Sequence, residues 1–308
     1  MRPGLARTVE RQGGVFTREQ AVTCCTPAEV RSCLRRRLWR PTPWRGVYVD
    51  CDVPDEPEAL VRAASLWLGG DLVACHSTAA LLWGFDLRAE QLVQRDRLHF
   101  LGPADLDNRL LTRLQVHPSS LGTEDAVLRR GVWCTPPART ACDVVRLGAP
   151  IDGLATLDAA LRTGRCSAAD LSAACEQQRG LRGVVRLGRL LPFTDRAAES
   201  AMESRMRWRF LAAGLPTPRV QVEVADGSRR HRLDVGWEEE LVGAEFDGLE
   251  AHMTRHQLAA DRDRHNWLTD RNWRLLHFTA TDVYRQHERM VATVARHLGN
   301  PRRTIMVR

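Results

Sequence analysis

The last third of the chain alternates between helical and strand patterns in an order that few folds share. One helical pattern precedes three strand patterns, and a helix, a strand and a final helix follow, at residues 196–212, 220–224, 231–237, 241–248, 254–269, 273–278 and 281–298. Apolar residues every three or four positions predict the helices, and alternation of apolar and polar residues predicts the strands. The order α-β-β-β-α-β-α predicts one sheet with helices packed on it.

Two carboxylates fall on neighbouring strands of this predicted sheet. Asp234 lies in the second strand pattern, and Glu245 follows eleven residues later in the third. A hairpin between these strands brings both side chains to the same end of the sheet. Converging carboxylates bind Mg²⁺, which keeps several waters and can activate one of them against a phosphodiester. The alternative is structural: Glu245 pairs with one of the many arginines.

Six short motifs follow one another through the same region. They are Ser200-Ala-Met-Glu203, Gly214-Leu-Pro-Thr-Pro218, Arg232-Leu-Asp234, Glu245-Phe-Asp-Gly248 with His252, Asp261-x-x-Arg264 and Trp273-Arg-Leu-Leu-His-Phe278. In this order and spacing they resemble the PD-(D/E)XK nuclease superfamily, and more closely its branch related to the Vsr very-short-patch-repair endonuclease. The resemblance implies a restriction-endonuclease-like fold that hydrolyses DNA.

The same resemblance implies roles for single residues. The implied catalytic residues are Glu203, Asp234, Glu245, Asp247 and His252. Asp234 and Glu245 would be the ligands of Mg²⁺ or Mn²⁺, and Glu203 a supporting carboxylate on the leading helix. His252 would act as acid or base near the leaving group, with a surface or packing role as its alternative.

One position departs from the superfamily. Its lysine, two residues after the glutamate, is Asp247 here, and the chain contains no lysine at all. Either Asp247 is a third metal ligand, or Arg264 supplies positive charge. Arg264 would not act as a base, because arginine keeps its proton in proteins.

The first 50 residues predict short helices followed by a strand, a turn and a second strand. Thr26 begins a helix with Glu29 three residues later, the capping-box arrangement. Val30, Leu34 and Leu38 form the apolar stripe of that helix. This layout is that of a winged helix-turn-helix, whose second helix can enter the major groove of DNA.

Positive charge is concentrated in this segment. Residues 1–50 hold ten arginines against four acids, a net +6, while the whole chain carries +7. Arginine binds phosphate and guanine through a bidentate fork, so double-stranded DNA is the expected partner. The alternative is a solvated basic helix. The candidate DNA-binding residues are Arg31, Arg35, Arg36, Arg37 and Arg45.

Further motifs carry a second resemblance. Gly14-Val-Phe-Thr-Arg-Glu-Gln-Ala21 and Arg45-Gly-Val-Tyr48 resemble the N-terminal winged helix of AbiEi-type antitoxins, and Ala74-Cys-His-Ser-Thr-Ala-Ala80 and Thr135-Pro-Pro-Ala-Arg-Thr-Ala-Cys-Asp143 resemble their middle part. The resemblance implies a transcriptional repressor of a toxin–antitoxin operon. A toxin partner and a homodimer both stay open. His76 beside Ser77 predicts a capping or packing role, because adjacent residues rarely face each other.

Length and composition bound the remaining expectations. The 308 residues predict a winged helix over 1–53, a mixed middle region over 58–195 and a nuclease-like domain over 196–300, an α/β fold class (α+β overall). The nine cysteines include no C-x-x-C pair, which favours reduced, mostly buried thiols over a zinc ribbon. No apolar stretch is long enough for a membrane span, so we expect a cytoplasmic protein.

Two functions are consistent with these patterns. The first is a DNA-binding, divalent-metal-dependent endonuclease that hydrolyses phosphodiester bonds. The alternative is an AbiEi-like transcriptional repressor or antitoxin whose nuclease-like domain is inactive. Whether the carboxylates bind a divalent metal separates the two.

Overall fold

A computed structural model describes most of the chain, namely residues 3–54, 56–70, 72–85, 97–103, 113–119, 126–227, 229–248 and 255–299, with side chains in the last range from residue 260. The chain divides into two compact units, residues 1–144 with 173–178 and residues 145–172 with 179–308. Within the described ranges, no helix has both the length and the apolar character that a membrane crossing needs. The predicted α+β fold class is confirmed, whereas the predicted domain boundaries stay predictions.

The N-terminal segment forms the predicted winged helix-turn-helix. Its elements are α1 (Pro3–Arg11), β1 (Val15–Thr17), α2 (Arg18–Cys24), α3 (Pro27–Arg35), β2 (Trp39–Pro41) and β3 (Val47–Asp50). The three strands form an antiparallel sheet in the order β1-β3-β2. Thr26 and Glu29 make the expected capping box at the start of α3, and the core contains Leu5, Val9, Phe16, Ala21, Val30 and Trp39.

One detail of the predicted recognition helix is wrong. The apolar stripe was expected to continue to Leu38, but α3 ends at Arg35 and the Leu38 side chain is 47% exposed. Arg37 adopts a left-handed conformation, with φ of 55°, just after the helix. A residue in this conformation cannot continue a right-handed helix, so the chain turns towards β2.

The middle region contains a mixed five-stranded sheet. Its elements are α4 (Pro57–Trp67), β4 (Val73–Ala74), α5 (His76–Trp83), β5 (Leu98–Gly102), β6 (Leu114–Pro118), β7 (Val127–Arg129), β8 (Val132–Cys134) and α6 (Pro137–Leu147). The strand order is β6-β5-β4-β8-β7, in which β5 runs parallel to β6 and β4 parallel to β8. All nine cysteines of the chain are free thiols.

The rest of the chain confirms the predicted α-β-β-β-α-β-α order. The elements are α7 (Pro150–Arg162), α8 (Ala168–Gln177), α9 (Val184–Leu190), a 3₁₀ turn (Leu191–Phe193), α10 (Ala201–Ala212), β9 (Arg219–Asp226), β10 (Arg229–Trp237), β11 (Val242–Phe246), α11 (Arg255–Thr269), β12 (Arg274–Phe278), α12 (Ala280–Tyr284) and α13 (His287–His297). The final helix, predicted as one, is broken into α12 and α13. The C-terminal sheet has the order β12-β11-β10-β9, and α11 connects the parallel strands β11 and β12.

Two separate apolar clusters hold the C-terminal sheet between its helices. The first joins the sheet to α10, α12 and α13 and includes Met206, Phe210, Trp237, Phe278 and Val294. The second joins it to α11 and includes Val222, Leu233, Trp267, Leu268 and Trp273. Helices thus pack on the sheet in both clusters, and the candidate carboxylates Asp234 and Glu245 lie where the pairing of β10 with β11 ends.

Candidate functional sites in the winged helix and the C-terminal sheet

The winged helix exposes two arginines one turn apart on α3. Val30 is buried and Leu34 packs against the same core, so Arg31 and Arg35 lie on the other side of the helix and are exposed. Neither guanidinium has an ion pair or a side-chain hydrogen bond within the part of the chain that the structure describes. Four positions separate them, so both can contact the same surface of a ligand.

Three more arginines extend the basic surface beyond α3. Arg36 and Arg37 follow the helix end, and Arg45 lies in the turn between β2 and β3; all three are exposed. Gly46 has φ of 84°, which lets that turn project from the sheet as a wing. The five predicted DNA-binding arginines thus lie on the helix, its end and the wing, the parts that contact DNA in this fold.

The C-terminal sheet brings Asp234 and Glu245 to one strand end. Their strands, β10 and β11, are antiparallel, and the last matched pair before these residues is Val235 with Ala244. Asp234 Oδ2 accepts a hydrogen bond of 2.8 Å from the backbone N–H of Phe246. The hairpin expected from the sequence therefore forms, and the two carboxylates are neighbours across it.

Glu203 approaches the same place from the start of α10. Its side chain is 7% exposed, and Oε2 accepts hydrogen bonds of 3.0 Å from the backbone N–H of Glu199 and from Gln221 Nε2. Gln221 lies within β9 and has φ of 51°. The carboxylate of Glu203 thus has two donors that hold it in place.

Both carboxylate oxygens of Glu245 are held by Arg264. Arg264 Nη1 lies 2.8 Å from Glu245 Oε2, and Nη2 contacts Oε1 and also donates to the carbonyl of Arg232 at 2.8 Å. Glu245 is 8% exposed. The structural alternative for Glu245, an ion pair with an arginine, is the arrangement observed, and it is bidentate.

The surroundings of Asp234 raise the pKa of its carboxyl group. Burial, together with the negative charges of Glu203 and Glu245, raises the pKa of Asp234 to about 7. The Phe246 N–H and the Arg264 guanidinium act in the opposite direction. Near neutral pH this carboxyl therefore exists in both protonation states, as expected where acidic groups crowd a partly buried site.

Sequence reasoning missed His277, which joins this group. In the parallel register of β11 and β12, His277 lies opposite Glu245. Its Nδ1 is 3.0 Å from Asp247 Oδ1 and 4.0 Å from Glu245 Oε2. The strand pattern around it was recognised, but its register against β11 was not. His252 lies outside the described residues.

In this arrangement the Glu245 carboxylate is not available to Mg²⁺ or Mn²⁺, so binding of a divalent metal by Asp234 and Glu245 stays a prediction. A metal would need the Glu245 oxygens that Arg264 holds. Among the described residues, the one group of three or more acidic, histidine or cysteine ligand atoms within 4.8 Å of one another lies elsewhere, at Cys75, His76 and His117. Asp247 interacts with His277 rather than with Asp234. The cluster is thus a network of ion pairs and hydrogen bonds.

Comparison with known proteins yields a family and two relatives. Residues 72–193 match the model of the AbiEi antitoxin C-terminal domain. Two proteins of Mycobacterium tuberculosis, "Uncharacterized protein MT2308" of strain CDC 1551 / Oshkosh and "Uncharacterized protein Rv2248" of strain ATCC 25618 / H37Rv, are each 38% identical over 264 residues, which cover 84% of this chain and 92% of the relative.

The family match covers the middle region that resembles AbiEi antitoxins but not the region that resembles Vsr-like nucleases. The AbiEi motifs at residues 74–80 and 135–143 lie inside the matched range, which confirms the resemblance of the middle region. The match ends before residues 200–282, so the resemblance of that part to Vsr-like nucleases stays a prediction.

Proposed function

Since the chain belongs to the family of these two Mycobacterium tuberculosis proteins and matches an antitoxin domain over residues 72–193, we propose that it is a sequence-specific DNA-binding regulator of the AbiEi antitoxin kind. Double-stranded DNA is its proposed ligand, and the antitoxin description supports a toxin as protein partner. A transcriptional repressor or antitoxin is thereby preferred to an endonuclease.

The observation that carries this proposal is the unpaired basic face of α3. Arg31 and Arg35 are exposed and have no acidic partner among the described residues. An arginine already bound to a carboxylate would have to break that pair before it contacted a phosphate. The unpaired arginines of α3 avoid this cost. Their guanidinium groups can bind phosphate oxygens or the edge of guanine with two hydrogen bonds at once.

Fluorescence anisotropy with the full chain tests the proposal. We expect tighter binding to a duplex from the region upstream of its own gene than to a scrambled duplex, by about 10³-fold or more at physiological salt. The double variant Arg31→Ala with Arg35→Ala should weaken specific binding by at least about tenfold, because each base-contacting arginine contributes on the order of 1–3 kcal/mol.

The matched control changes two arginines away from the winged helix. Arg165→Ala with Arg189→Ala removes the same charge from exposed positions and should leave specific binding nearly unchanged. Equal losses in both double variants would mean that net charge alone drives binding. Equal affinity of the wild type for both duplexes would overturn sequence-specific regulation.

Metal-dependent DNA cleavage is the second candidate function. It is favoured by the convergence of three carboxylates and by the raised pKa of Asp234, but it requires Arg264 to release Glu245. Incubation of plasmid DNA with wild type, Asp234→Ala and Glu245→Ala in Mn²⁺ decides it. Nicking by the wild type that both variants lose would support cleavage, whereas equal absence of nicking in all three would remove this candidate.

A further inference from the structure

The middle sheet brings one thiol and three imidazole side chains together at one place. Cys75 follows β4, His76 is the first residue of α5, and His99 and His117 lie on the neighbouring parallel strands β5 and β6. The backbone N–H of Cys75 donates to the carbonyl of His99 at 3.0 Å. The donors thus come from two strands, the residue that follows a third strand and the start of a helix, and they are separated by up to 42 residues of chain.

We propose that Cys75, His76 and His117 form a binding site for a transition-metal dication of the zinc type, with His99 as a positioning residue. Neither the family match nor the proposed DNA binding assigns such a site. Thiolate and imidazole together are ligands typical of zinc, whereas Mg²⁺ prefers oxygen. Three protein ligands leave a fourth position for water or a further ligand.

The distances support this donor set. One ligand atom from each of the three residues lies within 4.8 Å of the others, and Cys75 Sγ is 3.4 Å from His76 Nδ1. In a tetrahedral zinc site with ordinary bond lengths, the ligand atoms lie about 3.3–3.8 Å apart. Only a small contraction of the group is therefore needed to surround one ion.

His99 has the contacts of a supporting residue. Its Nδ1 is 2.8 Å from His117 Nε2, and the two rings are stacked with centroids 5.1 Å apart. Its own backbone N–H donates to the buried Oγ1 of Thr78 at 2.8 Å. His99 thus holds the orientation of the His117 ring through Nε2. Ligating histidines are commonly held in this way by a contact to their second nitrogen.

The backbone and the nearby charge agree with a cation site. His76 has φ of 48°, a left-handed conformation rare outside glycine that occurs preferentially at functional sites. The carboxylate of Asp143, 1% exposed and paired with Arg139 at 2.7 Å, acts electrostatically on both Cys75 and His117.

Titration of the metal-free full chain with Co²⁺ tests the proposal, because a thiolate ligand gives Co²⁺ a charge-transfer absorption. We expect about one Co²⁺ per chain, an absorption band displaced by Zn²⁺, and loss of the band in Cys75→Ser. His76→Gln and His117→Gln should weaken affinity at least tenfold. His99→Gln should weaken it roughly 10–100-fold while the band remains, since it acts through His117.

The control variant is Cys134→Ser, which removes another buried thiol in the same sheet and should keep the band. The Tm in EDTA gives the metal-free baseline of each variant, and Zn²⁺ should raise the Tm of the wild type above its baseline but leave that of Cys75→Ser unchanged. A histidine cluster that packs without a metal would give no band in the wild type. That result, or a band that persists in Cys75→Ser, would overturn the site.

Discussion

Two arginines on α3 are exposed and have no acidic partner among the described residues, whereas several arginines of the C-terminal part are held by carboxylates. Arg31 and Arg35 are of the first kind; Arg264 with Glu245 and Arg207 with Asp158 are of the second. The side chain is the same, but only an unpaired guanidinium can contact a phosphate without first losing a protein contact. The comparison shows that the placement of acidic residues decides which arginines are available to bind.

The largest effect is expected at the buried pair of α7 and α10. Arg207 Nη2 lies 2.6 Å from Asp158 Oδ2, and both side chains are almost fully buried. Arg207→Met leaves a buried carboxylate without its partner and should lower the free energy of unfolding by about 3–5 kcal/mol, measured by urea denaturation.

The exposed pair of Arg219 with Glu238 is the control for this change. Its side chains are 70% and 47% exposed, so Arg219→Met should cost less than about 1 kcal/mol. Similar losses in the two variants would break the distinction between buried and surface arginines.

The next effect concerns the pH dependence of stability at Asp234. The pKa of its carboxyl is raised from 3.8 to about 7 in the folded chain, so the protonated form stabilises the fold. This contribution is complete below about pH 4 and is lost as the pH rises through 7. One pKa unit corresponds to about 1.4 kcal/mol, which sets an upper limit of about 4 kcal/mol.

Asp234→Asn mimics the protonated carboxyl and can still accept the hydrogen bond from Phe246. Its stability relative to the wild type should increase between pH 5 and pH 8 in urea denaturation. The exposed Glu238→Gln should show no such trend. If the difference in unfolding free energy between Asp234→Asn and the wild type stays constant with pH, the pKa of Asp234 is not raised by its neighbouring carboxylates.

A smaller effect is expected from the wing. Arg45 is exposed in the turn between β2 and β3, where a phosphate contact carries no sequence information. Arg45→Ala should weaken binding to specific and scrambled DNA alike and reduce the salt slope by about 1. Anisotropy titrations at several salt concentrations measure this, with Arg165→Ala as control. A slope equal to that of the wild type would exclude Arg45 from the interface.

The smallest effect is expected when Arg36 is replaced, and the quantity measured is the free energy of unfolding. Arg36 is exposed beyond the end of α3 and makes no side-chain hydrogen bond or ion pair with the described residues. Arg36→Ala should therefore change the free energy of unfolding by no more than about 0.5 kcal/mol. A loss above 1 kcal/mol in urea denaturation would show that this arginine has a structural role.

Local signals in the sequence predicted much of the fold. Thr26 and Glu29 predicted the start of α3, because a capping box depends on residues three positions apart. The alternation of polar and apolar residues predicted β10 and β11. Pairing of these two strands, which the structure shows, places Asp234 beside Glu245. The sequence patterns missed β1, which has only three residues, and the break between α12 and α13, because such short features have no periodicity of their own.

The partners of the candidate residues could not be predicted in the same way. Arg264 is 19 residues from Glu245 in the chain, and any of the 44 other arginines could have taken its place. His277 reaches Glu245 only through the parallel register of β11 and β12. A register depends on how the sheet packs, and a strand pattern does not contain that information.

The amino-acid sequence by itself determined the helix caps, the order of helices and strands, the basic character of the first 50 residues and the absence of lysine. These properties depend on neighbouring residues or on composition. Tertiary structure decided that Arg264 holds Glu245, that Arg31 and Arg35 have no acidic partner in the part of the chain that the structure describes, and that Cys75 lies near His117. Each of these depends on contacts between distant segments, which form only when the apolar surfaces of helices and sheets pack together.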